Sequence, residues 1–272
     1  MEFLQKALYI LEIKPEANKI IWAKAYNNIG TVYDKHGDFS EALNYYQKSL
    51  KIRLNQLGLS HPDVAVSFNN IGMLYFLQGD YSQALKFFQK ALNSLSTNFK
   101  ESQNRKNSIS REDITNKQYF LQFLHKKTKA QNAVYFQQSN NIEDLKKVFD
   151  TDTLAIALID LINRENPEHQ TRKFLRTQTD TLYQNALKTA YLLHNLTGED
   201  YYKHQAFRIA EKSKAAILLA QLNDSQAKQF SGIPDSLLEK ETALKGGIEA
   251  FNKQIWDTQA DTAVVQSKIR ET

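Results

Sequence analysis

Six histidines, His36, His61, His125, His169, His194 and His204, are the side chains best suited to acid–base or metal chemistry. No two stand three or four residues apart, the spacing that sets two ligands on one helix face. His36 and His61 fall at expected helix ends, where an imidazole bonds a last carbonyl or opens a turn. The chain has no cysteine, which excludes a thiolate zinc site, an iron–sulfur cluster, a disulfide and a cysteine nucleophile within it. There is no G-x-S-x-G nucleophile turn. Neither phosphate-cradling pattern, G-x-x-x-x-G-K-[ST] or G-x-G-x-x-G, is present. Carboxylate pairs such as Glu199–Asp200 fall at helix starts, where the dipole favours negative charge. The chain therefore reads as non-catalytic, with no metal and no cofactor. The basic run "HKKTK", His125 to Lys129, could touch nucleic acid. It lies mid-helix beside Phe123 and Ala130, however, and reads as a solvated face. The aromatic residues follow core spacing and offer no stacking platform, so no nucleic-acid partner is expected.

One residue type does recur with chemical meaning. Asn27 and Asn69 occupy the same place in two nearly identical stretches, "AYNNIGTVYDKHGDFSEALNYYQKSL" from Ala25 and "SFNNIGMLYFLQGDYSQALKFFQKAL" from Ser67, 42 residues apart. An asparagine side chain can pair with both the N–H and the C=O of an extended peptide, whatever its sequence. The alternative is that these asparagines bridge adjacent helices or stand in solvent.

The elements that must position them follow from composition and pattern. Of 272 residues, 42% are hydrophobic and 24% charged, as in a folded, water-soluble chain. Only 9 Gly and 4 Pro are present, too few for a turn-rich β fold and suited to long helices. The net charge of +5 is spread among interleaved acids. No apolar run reaches the roughly 18 residues a membrane span needs, so no membrane partner is expected. Met1–Ile13 lacks a basic start and a cleavage site, and the expected compartment is the cytoplasm.

Aligning Gly30 with Gly72 pairs Tyr26 with Phe68, Ile29 with Ile71, Tyr33 with Tyr75, Gly37 with Gly79, Phe39 with Tyr81, Ala42 with Ala84, Tyr46 with Phe88 and Ser49 with Ala91. Tyr26, Ile29 and Tyr33 make one face of a first helix. Gly37 ends it in the left-handed conformation, and Asp38 can cap the next. Ala42, Tyr46 and Ser49 line the inner face of that second helix. Gly30 and Ala42 are small where the two axes cross closely.

This pattern resembles the tetratricopeptide repeat. Its 42-residue period, longer than the bare repeat because the second helix is taken to run on through "KIRLNQLGLSHPDVA", is similar to the repeats of kinesin light chains and many bacterial signalling proteins. The resemblance implies an all-α, right-handed α-solenoid, in which the first helix of each hairpin lines a concave groove. It places Lys24, Asn27, Thr31, Asp34 and Lys35 of one repeat, and Asn69, Met73, Phe76 and Leu77 of the next, along that groove, where they would bind a peptide or protein. The first set is charged and the second apolar.

Full repeats are expected at about 22–57 and 64–95. "FLQKALYILEI" fits the same register, with Leu4 and Ala7 standing 42 residues before Tyr46 and Ser49. Residues 1–13 thus read as the second helix of a partial repeat, as if the chain began inside a solenoid. Residues 96–117 read as a polar loop. Helical periodicity resumes over 118–138, 141–165, 168–196 and 200–222, taken as longer, diverged helix pairs of a 118–222 region. Leu175, Leu182, Ala186, Ala190 and Leu193 form one stripe, and Ala206 and Ala210 take the small-residue places.

From Ala210 the phrase "AEKSKA", a leucine-rich stretch and "FSGIPDSLLEKE" resemble the helical region that precedes a CHAT domain, a caspase-like peptidase attached to such repeats in bacteria. The resemblance implies a regulatory arm, in intramolecular contact with a peptidase that this chain lacks. Residues 223–272 would be a linker and a final helix leading towards that domain. Leu237, Leu244, Ile248, Phe251, Ile255, Val265 and Ile269 give it a heptad-like pattern, weakened at Gly246–Gly247 by roughly 1 kcal/mol per glycine. A free-standing adaptor is the alternative.

Overall fold

The computed structural model describes residues 19–96, 114–165 and 169–214, and the side chains of all but 164–178 among them. The chain divides into two compact units, Met1–Ser213 and Lys214–Thr272, and apart from Lys214 the described residues belong to the first. The partial repeat at 1–13 and the heptad pattern after 223 lie outside them.

The described part of the first unit is an α-solenoid of paired helices. Helices α1 (Lys19–His36) and α2 (Phe39–Leu57) form one hairpin, and α3 (Pro62–Leu77) and α4 (Tyr81–Leu95) the next. Then come α5 (Lys117–Val134), a π-helical turn (Tyr135–Ser139), α6 (Ile142–Glu165) and α7 (His169–Thr197). A further helix, α8, opens at residue 200 and is described to 214.

Sequence dictates the hairpin turns directly. Gly37 and Gly79 take φ +83° and +79°, a left-handed region that glycine enters without strain. Asp80 Oδ1 then accepts from Gln83 N at 3.0 Å, capping α4. Asp38, expected to do the same for α2, makes no side-chain cap bond. The second helix does not run on through residues 51–65 either. It stops at Leu57, because Gly58 turns left-handed and His61 opens α3, its Nδ1 accepting from Asp63 N at 3.1 Å with Pro62 in the first turn.

The repeat is visible atom by atom. Tyr33 stacks on Tyr45 at 5.5 Å, as Tyr75 does on Phe87 at 5.4 Å. Lys48 sits 5.0 Å over Tyr45, as Lys90 sits 4.9 Å over Phe87. A Cβ at Gly30 would fall 2.7 Å from Tyr46 Cδ1, and one at Gly72 would fall 2.9 Å from Phe88 Cδ1. The close approach that the sequence implied is therefore real in both hairpins.

Hairpins join through a buried core and a few buried polar bonds. Ala42 and Tyr46 pack on Ile71 and Leu74. Arg53 of α2, 5% exposed, donates to Asp63 O at 3.0 Å and Ser67 Oγ at 2.8 Å on α3. A larger cluster unites Phe68, Leu92, Leu95, Phe120, Leu124, Leu158, Ile162 and Leu182 from α3 to α7. The ends of the polar loop are pinned: Thr115 N donates to Leu95 O at 2.9 Å, Ile114 is buried, and Asn116 caps α5 through Tyr119 N at 2.9 Å. Leu182, Ala186, Ala190 and Leu193 are all buried, while Leu175 lies outside the described side chains. In α8 the buried places belong to Tyr202 and Ile209, so Ala206 and Ala210 are half-buried rather than central. The T-shaped contact of Tyr202 with Phe149 at 5.5 Å sets that register.

Candidate functional site

The first helices of the two hairpins, α1 and α3, carry the candidate groove residues. Lys24 and Lys35 are exposed, and Leu77 is half exposed. Thr31 is committed to its own hairpin: its Oγ1 donates to Asn27 O at 3.0 Å and accepts from Tyr46 Oη at 3.2 Å. Asp34 is half-buried, and that burial holds its carboxyl above the ordinary range.

The asparagines take up one another. Asn70 Nδ2 donates to Asn27 Oδ1 at 3.0 Å, across the boundary between α1 and α3. Asn69 Nδ2 donates to Asn70 Oδ1 at 3.3 Å. Asn69 is 3% exposed, and its Oδ1 is buried with no partner. Asn27 is thus bridged to the next hairpin, whereas the bond of Asn69 stays within α3.

Met73 and Phe76 stand one and two turns beyond Asn69 on the same face of α3. They form one wall of a cleft of about 300 Å³ whose other wall is Gln122, His125, Lys126 and Lys129 of α5. Those four fall at i, i+3, i+4 and i+7, one face of a helix. His125 and Lys126 are half-buried and Lys129 is exposed. Burial lowers the affinity of the His125 imidazole for a proton, and the charges of Lys129 and Lys126 lower it further. Burial and then Lys129 depress the Lys126 amine in the same way. His125 Nδ1 is buried with no partner.

The run His125–Lys129 is thus not a solvated face. Lys127 is 5% exposed and donates to Gln89 at 2.8 Å, and Thr128 is fully buried and donates to Asp152 Oδ1 at 3.0 Å. The helix is sandwiched between α4 and α6, so only part of the run meets water. Gln122, His125, Lys126 and Lys129 were not among the residues the repeat register pointed to. Their one-face spacing was the available signal.

Among the described residues no three His, Asp or Glu side chains gather to hold a metal, and no helix is long and apolar enough to cross a membrane. Residues 2–55 and 23–96 match the family model of the tetratricopeptide repeat. Within residues 2–96 the sequence matches tetratricopeptide repeats. The matched repeats include both hairpins from α1 to α4. No curated protein matches the sequence. Solved structures similar to it include BtubC (BKLC) from P. vanneervenii, 19% identical with a TM-score of 0.46, over 61% of this chain and 58% of that one. This chain therefore spans little more than half of that protein's length. A kinesin light chain of Podosopora anserina with nearly identical TPR-like repeats is 12% identical with a TM-score of 0.48, over 85% and 89% of the two chains. YrrB, a TPR protein with an unusual peptide-binding site, is 17% identical with a TM-score of 0.29, over 79% and 97%. None of the three bears on what these tetratricopeptide repeats bind.

Proposed function

We propose that this chain is a protein-interaction scaffold, holding a peptide or protein partner along the face made by α1, α3 and α5. The observation that carries the reading is the cleft between α3 and α5: apolar on one wall, polar and basic on the other, and open to solvent. Stacked hairpins that bury their faces against one another build such a surface as a by-product of the repeat. Exposed Lys24 and Lys35 and half-exposed Leu77 would extend it along α1 and α3. Because Asn27 and Asn69 are engaged with Asn70, we place the partner's contacts on Met73, Phe76 and the α5 wall first, with the asparagines fixing the helices beneath.

On the resemblance of residues 210–255, we further propose that the arm regulates a CHAT-type peptidase encoded downstream. Partner binding would gate the peptidase by favouring one arrangement of the arm. The nucleotide sequence past Thr272 decides this part. A frame continuing into a domain with a His and a Cys supports it, and a stop codon makes the chain a free-standing adaptor.

The groove itself is tested by panning a random-peptide display library against the whole chain. Binders are expected, and Met73→Arg should weaken them more than about tenfold, a loss of about 1.4 kcal/mol, with the helical circular dichroism unchanged. Binders indifferent to Met73→Arg would place the interaction elsewhere.

A further inference from the structure

We infer that Lys126, on the α5 wall of the α3–α5 cleft, is a nucleophilic amine that an acyl phosphate acylates directly, with no enzyme to assist. The inference concerns the side chain itself and holds whether or not the groove takes a partner.

Several lysines of α5, α6 and α8 are engaged. Lys127 donates to Gln89 at 2.8 Å, Lys146 to Glu143 at 2.8 Å and Lys147 to Asp144 at 2.9 Å, and Lys212 pairs with Asp160. Among the described residues Lys126 has no such partner. Its half-buried side chain lines an open cleft of about 300 Å³, across from Met73 and Phe76. That apolar wall brings no charge to the cleft, and α5 brings only His125 and Lys129 besides. Burial and both lysines oppose protonation of His125. Lys129 stands at i+3, on the same helix face as Lys126. An ammonium placed at Lys126 loses hydration and meets a second cation, and both effects favour the free amine. A lysine desolvated beside another cation is an activated nucleophile. An ordinary lysine is a free amine in roughly one molecule in a few thousand at pH 7, so a modest rise in that fraction speeds attack. Exposed Lys129 supplies a positive charge that draws the phosphate of the reagent.

The step is a plain acyl transfer. The lone pair of Lys126 Nζ bonds the acyl carbon, and the bond from that carbon to the phosphate oxygen breaks. The electron pair leaves on phosphate, which takes up the proton that the nitrogen sheds. The products are a neutral amide and inorganic phosphate, and nothing is oxidised or reduced.

The test incubates the whole chain with acetyl phosphate and follows acetylation of each lysine over time by mass spectrometry. At pH 7 Lys126 should react about tenfold faster than exposed Lys24 and Lys35. The midpoint of its pH–rate profile should lie below theirs. This comparison is made on the wild-type chain, so no folding defect enters it. Lys129→Gln, at an exposed position, should slow Lys126 about threefold at pH 7 and move its midpoint upward, leaving Lys24 and Lys35 unchanged. Lys126 reacting no faster than Lys24 and Lys35 overturns the inference, since the cleft would then shield the amine more than it activates it. A Lys126 profile that Lys129→Gln leaves in place overturns it too, because the neighbouring cation would not be acting on the amine. Neither result touches the groove reading, which the Met73→Arg comparison decides separately.

Discussion

Asn70 of one hairpin donates to Asn27 of the preceding one at 3.0 Å, and this bond holds two candidate groove helices in register. It is a half-buried bond between neutral groups, for which the net contribution is about 1 kcal/mol. Asn27→Ala should cost about that much in urea unfolding, and Asn70→Ala more, because it also removes the bond from buried Asn69. Because both variants remove the Asn27–Asn70 bond, the double variant should cost little more than Asn70→Ala alone. Additive losses would show that the two side chains act separately.

The contact of Gly30 with Tyr46 makes a sharper demand on stability. A side chain at Gly30 must displace the Tyr46 ring, which is 2% exposed. Gly30→Leu should destabilise the arm by roughly 1–3 kcal/mol or more through overpacking, and Gly72→Leu should behave alike against Phe88. A melting temperature within error of the wild type for either variant would mean that the hairpin crossing is mis-set.

Asp152 gives the fold a pH signature. Its carboxyl is fully buried, keeps one bond to Thr128, leaves Oδ2 unpartnered, and is pushed up to about 7 by burial. A raised folded-state value means that the folded chain holds a proton the unfolded chain has released between 3.8 and about 7. Stability from this group is thus complete below 3.8 and is lost as pH rises through about 7. Asp152→Asn should remove that dependence and be the more stable protein at pH 8, by on the order of 1–3 kcal/mol. Urea midpoints at pH 5 and 8 check it, and parallel pH profiles for the two proteins would contradict it.

His125 should titrate below an ordinary histidine by nuclear magnetic resonance, since burial and the neighbouring lysines both oppose its charge. Lys126→Met with Lys129→Met should move that value upward but not fully back, because burial remains. The depressed value also means that stability from this group is present above the unfolded value of 6.5 and falls away below it. An imidazole that does not respond to loss of both ammonium groups would show that they do not face it.

The two hairpins were legible in the sequence because every position that matters repeats 42 residues on, and small, aromatic and left-handed residues each have one physical job there. The close approach at Gly30 and the turn at Gly37 could be named from their types alone, but not that Tyr46 is the side chain that meets Gly30. The α3–α5 cleft could not. Its walls lie on either side of the polar loop, and α5 leaves the repeat period, running into a π-helical turn at Tyr135–Ser139 that no spacing rule announces. Charge misled as well: Lys127 and Thr128 look like surface in a basic run, yet α4 and α6 cover them. The asparagines showed their recurrence but not their partner: Asn28 and Asn70 recur as Asn27 and Asn69 do, and spacing alone does not say that Asn70 reaches back to Asn27 of the previous hairpin.

The most direct measurement is a hydrogen-exchange footprint of the whole chain with a peptide recovered by panning. Binding in the groove predicts slowed exchange within Lys19–His36, Pro62–Leu77 and Lys117–Val134, the helices that form it. Slowed exchange confined to Phe39–Leu57 and Tyr81–Leu95, or none in any of the five helices, would contradict a groove that holds a partner.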